Sequence, residues 1–175
     1  MGFECHCQLE ARLGAVAMQC EQDGSRFTGL RRDVLGLVLE ADGPVGAYGL
    51  LDRLRLSRAG AAPPTVYRAL SFLLAKGLIH RVERLNAFVA CTAAHRHETP
   101  AHLLICRACG QVTEIGDGPL SDQLTSSAEA AGFTTLAATV ELEGICRRCT
   151  GSAVSAPCDT PERKTRPAAG RLAAR

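Results

Sequence analysis

Tryptophan is absent from the 175-residue sequence, and aromatic side chains make up only 4% of it. That is too few for the stacking platform that holds single-stranded nucleic acid. No apolar run approaches the roughly 18 residues that a membrane-spanning helix needs, so no membrane partner is expected. The N-terminal stretch MGFECHCQLEAR lacks the basic start and apolar core of a secretory signal, and the expected compartment is the reducing cytoplasm. Catalytic signatures are missing too. There is no G-x-S-x-G elbow, no Gly-rich phosphate loop and no H-E-x-x-H, so an enzyme is not expected. Apolar residues are not scarce: 46% hydrophobic and 22% charged is the balance of a globular chain.

What the sequence does have is nine cysteines, an odd number that no complete disulfide framework uses up. In a reducing compartment, clustered cysteines hold metal or do redox chemistry. Charge is unevenly spread as well. Residues 26–84 carry 10 Lys+Arg against 5 Asp+Glu, whereas residues 86–152 carry 4 against 7. A basic front half joined to an acidic, Cys/His-rich back half predicts two modules with different partners. Residues 153–175, rich in Pro, Ala and Arg without apolar periodicity, predict a disordered tail.

The front half reads as helices. Leu9, Leu13, Val16 and Ala17 share one helical face. Thr28 is a candidate N-cap for a helix with Leu30, Val34, Leu37 and Val38 inward, broken at Gly43-Pro44. Leu50, Leu51 and Leu54 mark a further helix, and Pro63-Pro64 stops the chain before another begins at Thr65. Two short apolar runs, Leu78 to Val82 and Ala87 to Cys91, flank the turn Glu83-Arg84-Leu85-Asn86 and predict a β-hairpin. Helices followed by a hairpin make a winged helix-turn-helix, whose recognition helix enters the major groove. Thr65, Tyr67 and Arg68 lie opposite the apolar Val66, Ala69 and Leu70, and Arg81 and Arg84 sit on the wing within reach of phosphates.

The back half is α+β: strands around His102–Ile105 and Val112–Ile115, a helix from Leu120 to Ala131, and a strand from Thr134 to Glu143. Its strongest signal is Cys106-x-x-Cys109 paired with Cys146-x-x-Cys149. Four thiolates match tetrahedral Zn²⁺, and a closed four-sulfur site has no open position, so it is structural rather than catalytic. Each Cys-x-x-Cys can also be a redox pair, but two in one small module favour a shared metal. A second set brackets the junction of the halves: His80, Cys91, His95, His97, His102 and Glu114 offer N, S and O ligands. A metal here could clamp one module against the other, the elementary form of a switch.

Pro63-Pro64-Thr65-Val66-Tyr67-Arg68-Ala69-Leu70, Leu74-x-x-Gly77-Leu78-Ile79-His80 and the two Cys-x-x-Cys knuckles together resemble the ferric uptake regulator family, over about Leu9 to Cys149. The resemblance is to its zinc-sensing members. It implies a homodimeric repressor that binds operator DNA when loaded with zinc: a winged-helix DNA-binding domain over 1–85, then a metal-binding dimerisation domain over 86–152. It implies that Cys106, Cys109, Cys146 and Cys149 hold structural Zn²⁺. His80, Cys91 and Glu114 match regulatory zinc ligands. The fourth ligand is a histidine shortly before the first knuckle. Direct counting puts Thr99 there, so His97 is chosen, with His95 and His102 as substitutes. Tyr48 and Arg68 match residues that contact bases. The usual Thr-Pro-x-Arg helix start reads Thr28-Gly29-Leu30-Arg31, which loses the proline but keeps Arg31 as a DNA-side candidate. The competing readings are a family member that senses another metal or peroxide, and a zinc-binding protein–protein adaptor. The sulfur ligand Cys91 favours zinc over a peroxide-sensing site of N and O ligands.

Overall fold

The computed structural model describes residues 6–92, 101–115, 119–136 and 138–150. His95, His97 and the expected tail at 153–175 lie outside these residues. The front half is α1 (His6–Gln22), α2 (Gly29–Leu39), α3 (Ala47–Ser57) and α4 (Pro63–Ala75), closed by the hairpin β1 (Ile79–Val82) and β2 (Ala87–Ala90). The back half is β3 (Ala101–Cys106), β4 (Val112–Ile115), α5 (Pro119–Ala130), β5 (Thr139–Gly144) and the single turn α6 (Arg147–Thr150).

Local sequence accounts for the helix ends. Thr28 caps α2, its hydroxyl accepting from the Arg31 N–H at 3.5 Å. Helix α4 starts two residues before the expected Thr65, because Pro63 and Pro64 open it rather than stop the chain before it. A proline in the first turn lacks only an N–H that the helix would leave unpaired, and its fixed φ suits the helix. Gly77, at φ 60, turns the chain out of α4, with the Leu78 N–H on the Leu73 carbonyl at 3.0 Å. The helices bury Val34, Leu50, Leu54, Leu70 and Leu73 together with Ile79 of the hairpin, all at most 1% exposed. Each such side chain contributes about 1.5–3 kcal/mol. α4 and its hairpin therefore share one core and move together.

β1 and β2 pair antiparallel from Ile79↔Ala90 to Val82↔Ala87, so the boundary expected after residue 85 falls within the hairpin. Val45, just before α3, bridges Phe88 through two backbone hydrogen bonds of 2.9 Å and fixes the wing against the helices.

The back half is a three-stranded sheet in the order β4-β3-β5. β3 and β4 are antiparallel, and β3 and β5 are parallel, with α5 inside the crossover that a parallel pair requires. β5 is shorter than the expected Thr134–Glu143 strand. Its pairing is set by the six residues of β3, which run from Ala101↔Thr139 to Cys106↔Gly144, and Thr134 has no partner there. Leu103 and Ile105 of β3 pack with Val82 of the wing to form a second, smaller core, so the wing lies on one face of the sheet.

Candidate functional site

Two clusters of ligand-type side chains form among the described residues. In the first, the Sγ atoms of Cys106, Cys109, Cys146 and Cys149 all lie within 4.8 Å of one another, with 3.8 Å between Cys109 and Cys146. Tetrahedral Zn–S bonds of about 2.3 Å place sulfurs roughly 3.8 Å apart, so the four fit one zinc ion. Backbone geometry builds both knuckles. Cys106 ends β3, and Gly110, at φ 70, lets its N–H return to the Cys106 carbonyl at 2.9 Å. The second knuckle is the turn at α6, whose Cys149 N–H meets the Cys146 carbonyl at 2.9 Å. The Cys146 N–H points at Cys106 Sγ at 3.3 Å.

These contacts split the thiols. The backbone N–H of Cys146, with those of Cys109 and Ala108, lowers the Cys106 thiol to about 6. Cys149 is pushed up to about 12, chiefly by its hydrogen bond to Cys146 and by the other sulfurs around it. Crowded thiols resist ionising together, and a cation at their centre removes that conflict.

The second cluster joins the wing to the sheet. His80 is on β1, Cys91 follows β2, and Glu114 is on β4; one ligand atom from each lies within 4.8 Å of the others. His80 Nε2 is 2.8 Å from Glu114 Oε1, and Cys91 Sγ is 3.7 Å from the same oxygen. The other carboxylate oxygen accepts from the Thr92 N–H at 2.8 Å and the Thr92 hydroxyl at 3.0 Å. The Glu114 side chain is only 3% exposed. His80 Nε2 is buried without a hydrogen bond of acceptable geometry, despite its short distance to the carboxylate. A buried nitrogen, a thiol and a carboxylate oxygen aimed at one point, with the nitrogen unsatisfied, is a donor set that fits a shared cation such as Zn²⁺.

Of the histidines offered as a further ligand, only His102 is described, and it is placed elsewhere. It is 1% exposed on β3, with Nε2 3.4 Å from the Ser121 hydroxyl of α5. The register pairs Leu103 with Glu114, so their side chains share a face, while His102, one residue earlier, points to the other. Strand alternation thus removes His102 as a substitute ligand.

The face expected to meet nucleic acid is formed by α3, α4 and the wing. Tyr48 is 68% and Tyr67 47% exposed. Arg68 is exposed and Thr65 half-buried, while Val66, Ala69 and Leu70 face the core. A groove of about 390 Å³ runs between Tyr48, Tyr67 and the wing residues Arg81 and Asn86. Arg31 is placed differently. Its guanidinium sits 3.6 Å over the Phe72 ring, which ties α2 to α4, and donates to the Arg26 carbonyl of the preceding loop. Arg84, expected to meet phosphate, is ion-paired with Glu143 of β5. Glu141 and Glu143, which the sequence reading did not single out, both touch the wing tip. Their signal was there: alternate positions of a strand share a face.

A winged helix-turn-helix joined through a His/Cys/Glu cluster to a sulfur-rich sheet module defines a metal-binding regulator. The family model of the ferric uptake regulator family matches residues 22–143, and the chain belongs to that family. It is 40% identical over 133 residues to the zinc uptake regulation protein of Escherichia coli, covering 74% of this chain and 76% of that one. The zinc uptake regulation protein of Mycobacterium tuberculosis is 30% identical over 129 residues, covering 72% and 95%. Among solved structures, holo XcZur superposes with a TM-score of 0.74 at 41% identity over 80% of this chain and 97% of its own. A zinc uptake regulator complexed with zinc and DNA gives 0.77 at 36% identity, over 81% and 95%.

Proposed function

We propose that the chain is a zinc-responsive transcriptional repressor of the cytoplasm, not an enzyme, that binds operator DNA as a homodimer and controls zinc uptake and homeostasis genes. The observation that carries this reading is the meeting of His80 and Cys91, which flank the wing, with Glu114 of the sheet. Relatives named for zinc uptake regulation, and a similar structure holding both zinc and DNA, support it. The sulfur of Cys91 favours zinc over iron, manganese or peroxide sensing. Exposed Tyr67 and Arg68 on α4 favour DNA binding over an adaptor role.

In this reading Cys106, Cys109, Cys146 and Cys149 hold a structural zinc, and His80, Cys91 and Glu114 hold the regulatory one, with His97 as fourth ligand. Bound there, Zn²⁺ supplies the positive charge that lets a thiolate, a carboxylate and an imidazole converge. The rest is done by the chain. His80 and Cys91 adjoin Ile79 and Ala90, which pack in the core that α4 shares, and Glu114 is paired to β3, so drawing them together fixes the wing on the sheet. The wing and helices of 1–85 with β2 act as the DNA-binding domain, and the remainder to 152 as the dimerisation domain. Leu104 and Leu142, paired across β3 and β5 and 38% and 48% exposed, offer an apolar surface for a second copy on the side away from the wing. In a two-fold dimer, the angle between domains sets the separation of the two α4 helices, which must match successive major grooves about 34 Å apart. The metal favours the fitting angle only through its higher affinity for it.

The test is a titration of DNA binding against buffered free Zn²⁺, using a duplex selected from a random pool by the zinc-loaded protein, with Fe²⁺ and Mn²⁺ in parallel. Binding that rises with Zn²⁺ and not with the other two is expected. Binding indifferent to zinc contradicts the proposal.

A further inference from the structure

The sheet face that receives the wing carries carboxylates at both ends of the contact, and only one belongs to the metal cluster. The register sets Glu114, Leu103 and Glu141 side by side across β4, β3 and β5, and Ile105 beside Glu143 on the next rung of that face. Leu103 and Ile105 fill the middle against Val82. Glu114 meets the base of the hairpin at His80, Cys91 and Thr92. Glu141 meets its tip. One oxygen accepts from the Glu83 N–H at 2.6 Å and the other from the Arg84 N–H at 3.2 Å. The Arg84 guanidinium then pairs with Glu143. The Glu83 carboxylate is drawn to Arg81 at 3.2 Å, so a hydrogen-bonding amide pair, not a bare like charge, meets Glu141.

His80 at the base and Glu83 at the tip are three residues apart along the hairpin, so the two holds are separated by about 10 Å. A wing held at its base alone can still pivot about that point; a second hold at the tip removes the pivot. The wing in turn carries α4, through the tight turn at Gly77 and the buried core that Leu73 and Ile79 share. A carboxylate suits the tip because it accepts two consecutive N–H groups with two oxygens, which an amide cannot do.

We propose that Glu141 is a positioning residue for DNA recognition: by closing over the Glu83 and Arg84 amides it aims the wing and α4 on the sheet. The metal cluster at the far end then selects one orientation rather than a range of pivots. This rests on the regulator reading given above.

The experiment compares zinc-loaded wild-type protein with Glu141→Ala and Glu141→Gln. Three quantities are read: amide exchange at Glu83 and Arg84, operator affinity at saturating zinc, and zinc content with dimer mass. In the alanine variant the two amides are expected to exchange about tenfold faster or more. Operator affinity falls about 3- to 30-fold, while zinc content and dimer mass stay at wild-type values. The glutamine variant, with one acceptor oxygen left, falls between, and it is read alone where the alanine variant does not fold. Unchanged exchange at Glu83 and Arg84, or unchanged operator affinity, overturns the proposal. So does a loss of affinity that goes with loss of zinc or of the dimer in both variants, since that marks a merely structural role. If the wild type binds no operator at all, the regulator reading fails by itself. Amide exchange and the small-angle scattering profile of the free protein, broader in the variants if the wing pivots, then decide the role of Glu141.

Discussion

Replacing Cys106 with serine is expected to cost the back half its fold and leave the front half standing. The imbalance follows from the two cores. Among the described residues, fifteen buried apolar side chains hold the helical module and its wing, whereas the core between wing and sheet has three: Val82, Leu103 and Ile105. At about 1.5–3 kcal/mol each, those three contribute about 5–9 kcal/mol. A structural zinc contributes roughly 10–16 kcal/mol of apparent folding free energy. The metal term is the larger, so the sheet module depends on its knuckles more than on its apolar contacts. Cys106 is also the sulfur that receives the Cys146 N–H, and its loss separates the two knuckles. Metal analysis of Cys106→Ser should show the knuckle zinc lost, and the second zinc lost or weakened with it, because Glu114 lies in the module that unfolds. Hydrogen exchange should show protection lost over residues 101–150 and kept over α1 to α4. Light scattering should show a monomer. A Cys106→Ser protein that keeps its full zinc content and stays dimeric would show that the sheet module does not depend on its knuckles.

Arg68→Ala should weaken operator binding by about one to two orders of magnitude, the size of a lost bidentate base contact, without altering zinc content; fluorescence anisotropy measures both affinity and its zinc dependence. Leu73→Ala, at a position with 0% exposure where α4 meets the core, should destabilise the helical module by about 2–5 kcal/mol in urea unfolding. Asp23 supplies a pH test. Its hydrogen bond with Lys76 Nζ at 2.7 Å, helped by Ser25, lowers its carboxyl from 3.8 to about 2. A carboxylate lowered on folding stabilises above its unfolded value and loses that contribution as pH falls through the folded one. The Tm difference between wild type and Asp23→Asn should therefore be constant above about pH 5, shrink below that, and vanish as pH falls through about 2.

Much of the front half was legible because its signals are local. Thr28 as a cap, the Leu50–Leu51–Leu54 stripe and the Glu83–Asn86 turn need only a few neighbouring residues to be read. Pro63 and Pro64 were misread as a stop because a proline pair suits a helix start as well as a break; the following apolar stripe begins at Val66 in either case. The back half was less legible because its pairings are long-range. The start of β5 is set by the length of β3, not by the β-branched residues from Thr134 onward. His102 looked like a ligand in the linear sequence, and only its register with Ile115 turns it toward Ser121. The knuckles stood out because Cys-x-x-Cys spacing is itself the geometry. Glu141 and Glu143 did not, because acidic residues on a strand gain meaning only when a partner surface is known. Arg31 stands out by its place in the helix-start pattern and Arg84 by its place on the wing, and the fold gives both of them protein partners.

In the proposed reading, the cluster joining wing to sheet, and not the four-cysteine knuckles, makes DNA binding depend on zinc. The most direct measurement is zinc stoichiometry and operator affinity, read together across a free-Zn²⁺ titration, for wild type and Cys91→Ala. Cys91 is 8% exposed at the end of the hairpin, with its sulfur 3.7 Å from Glu114. The variant is expected to keep the dimer and the knuckle zinc, to lose one zinc per protomer, and to lose the rise in operator affinity with zinc. By linkage, operator DNA should tighten zinc binding in the wild type and not in the variant. A Cys91→Ala protein that binds its operator with the wild-type dependence on zinc would contradict the claim.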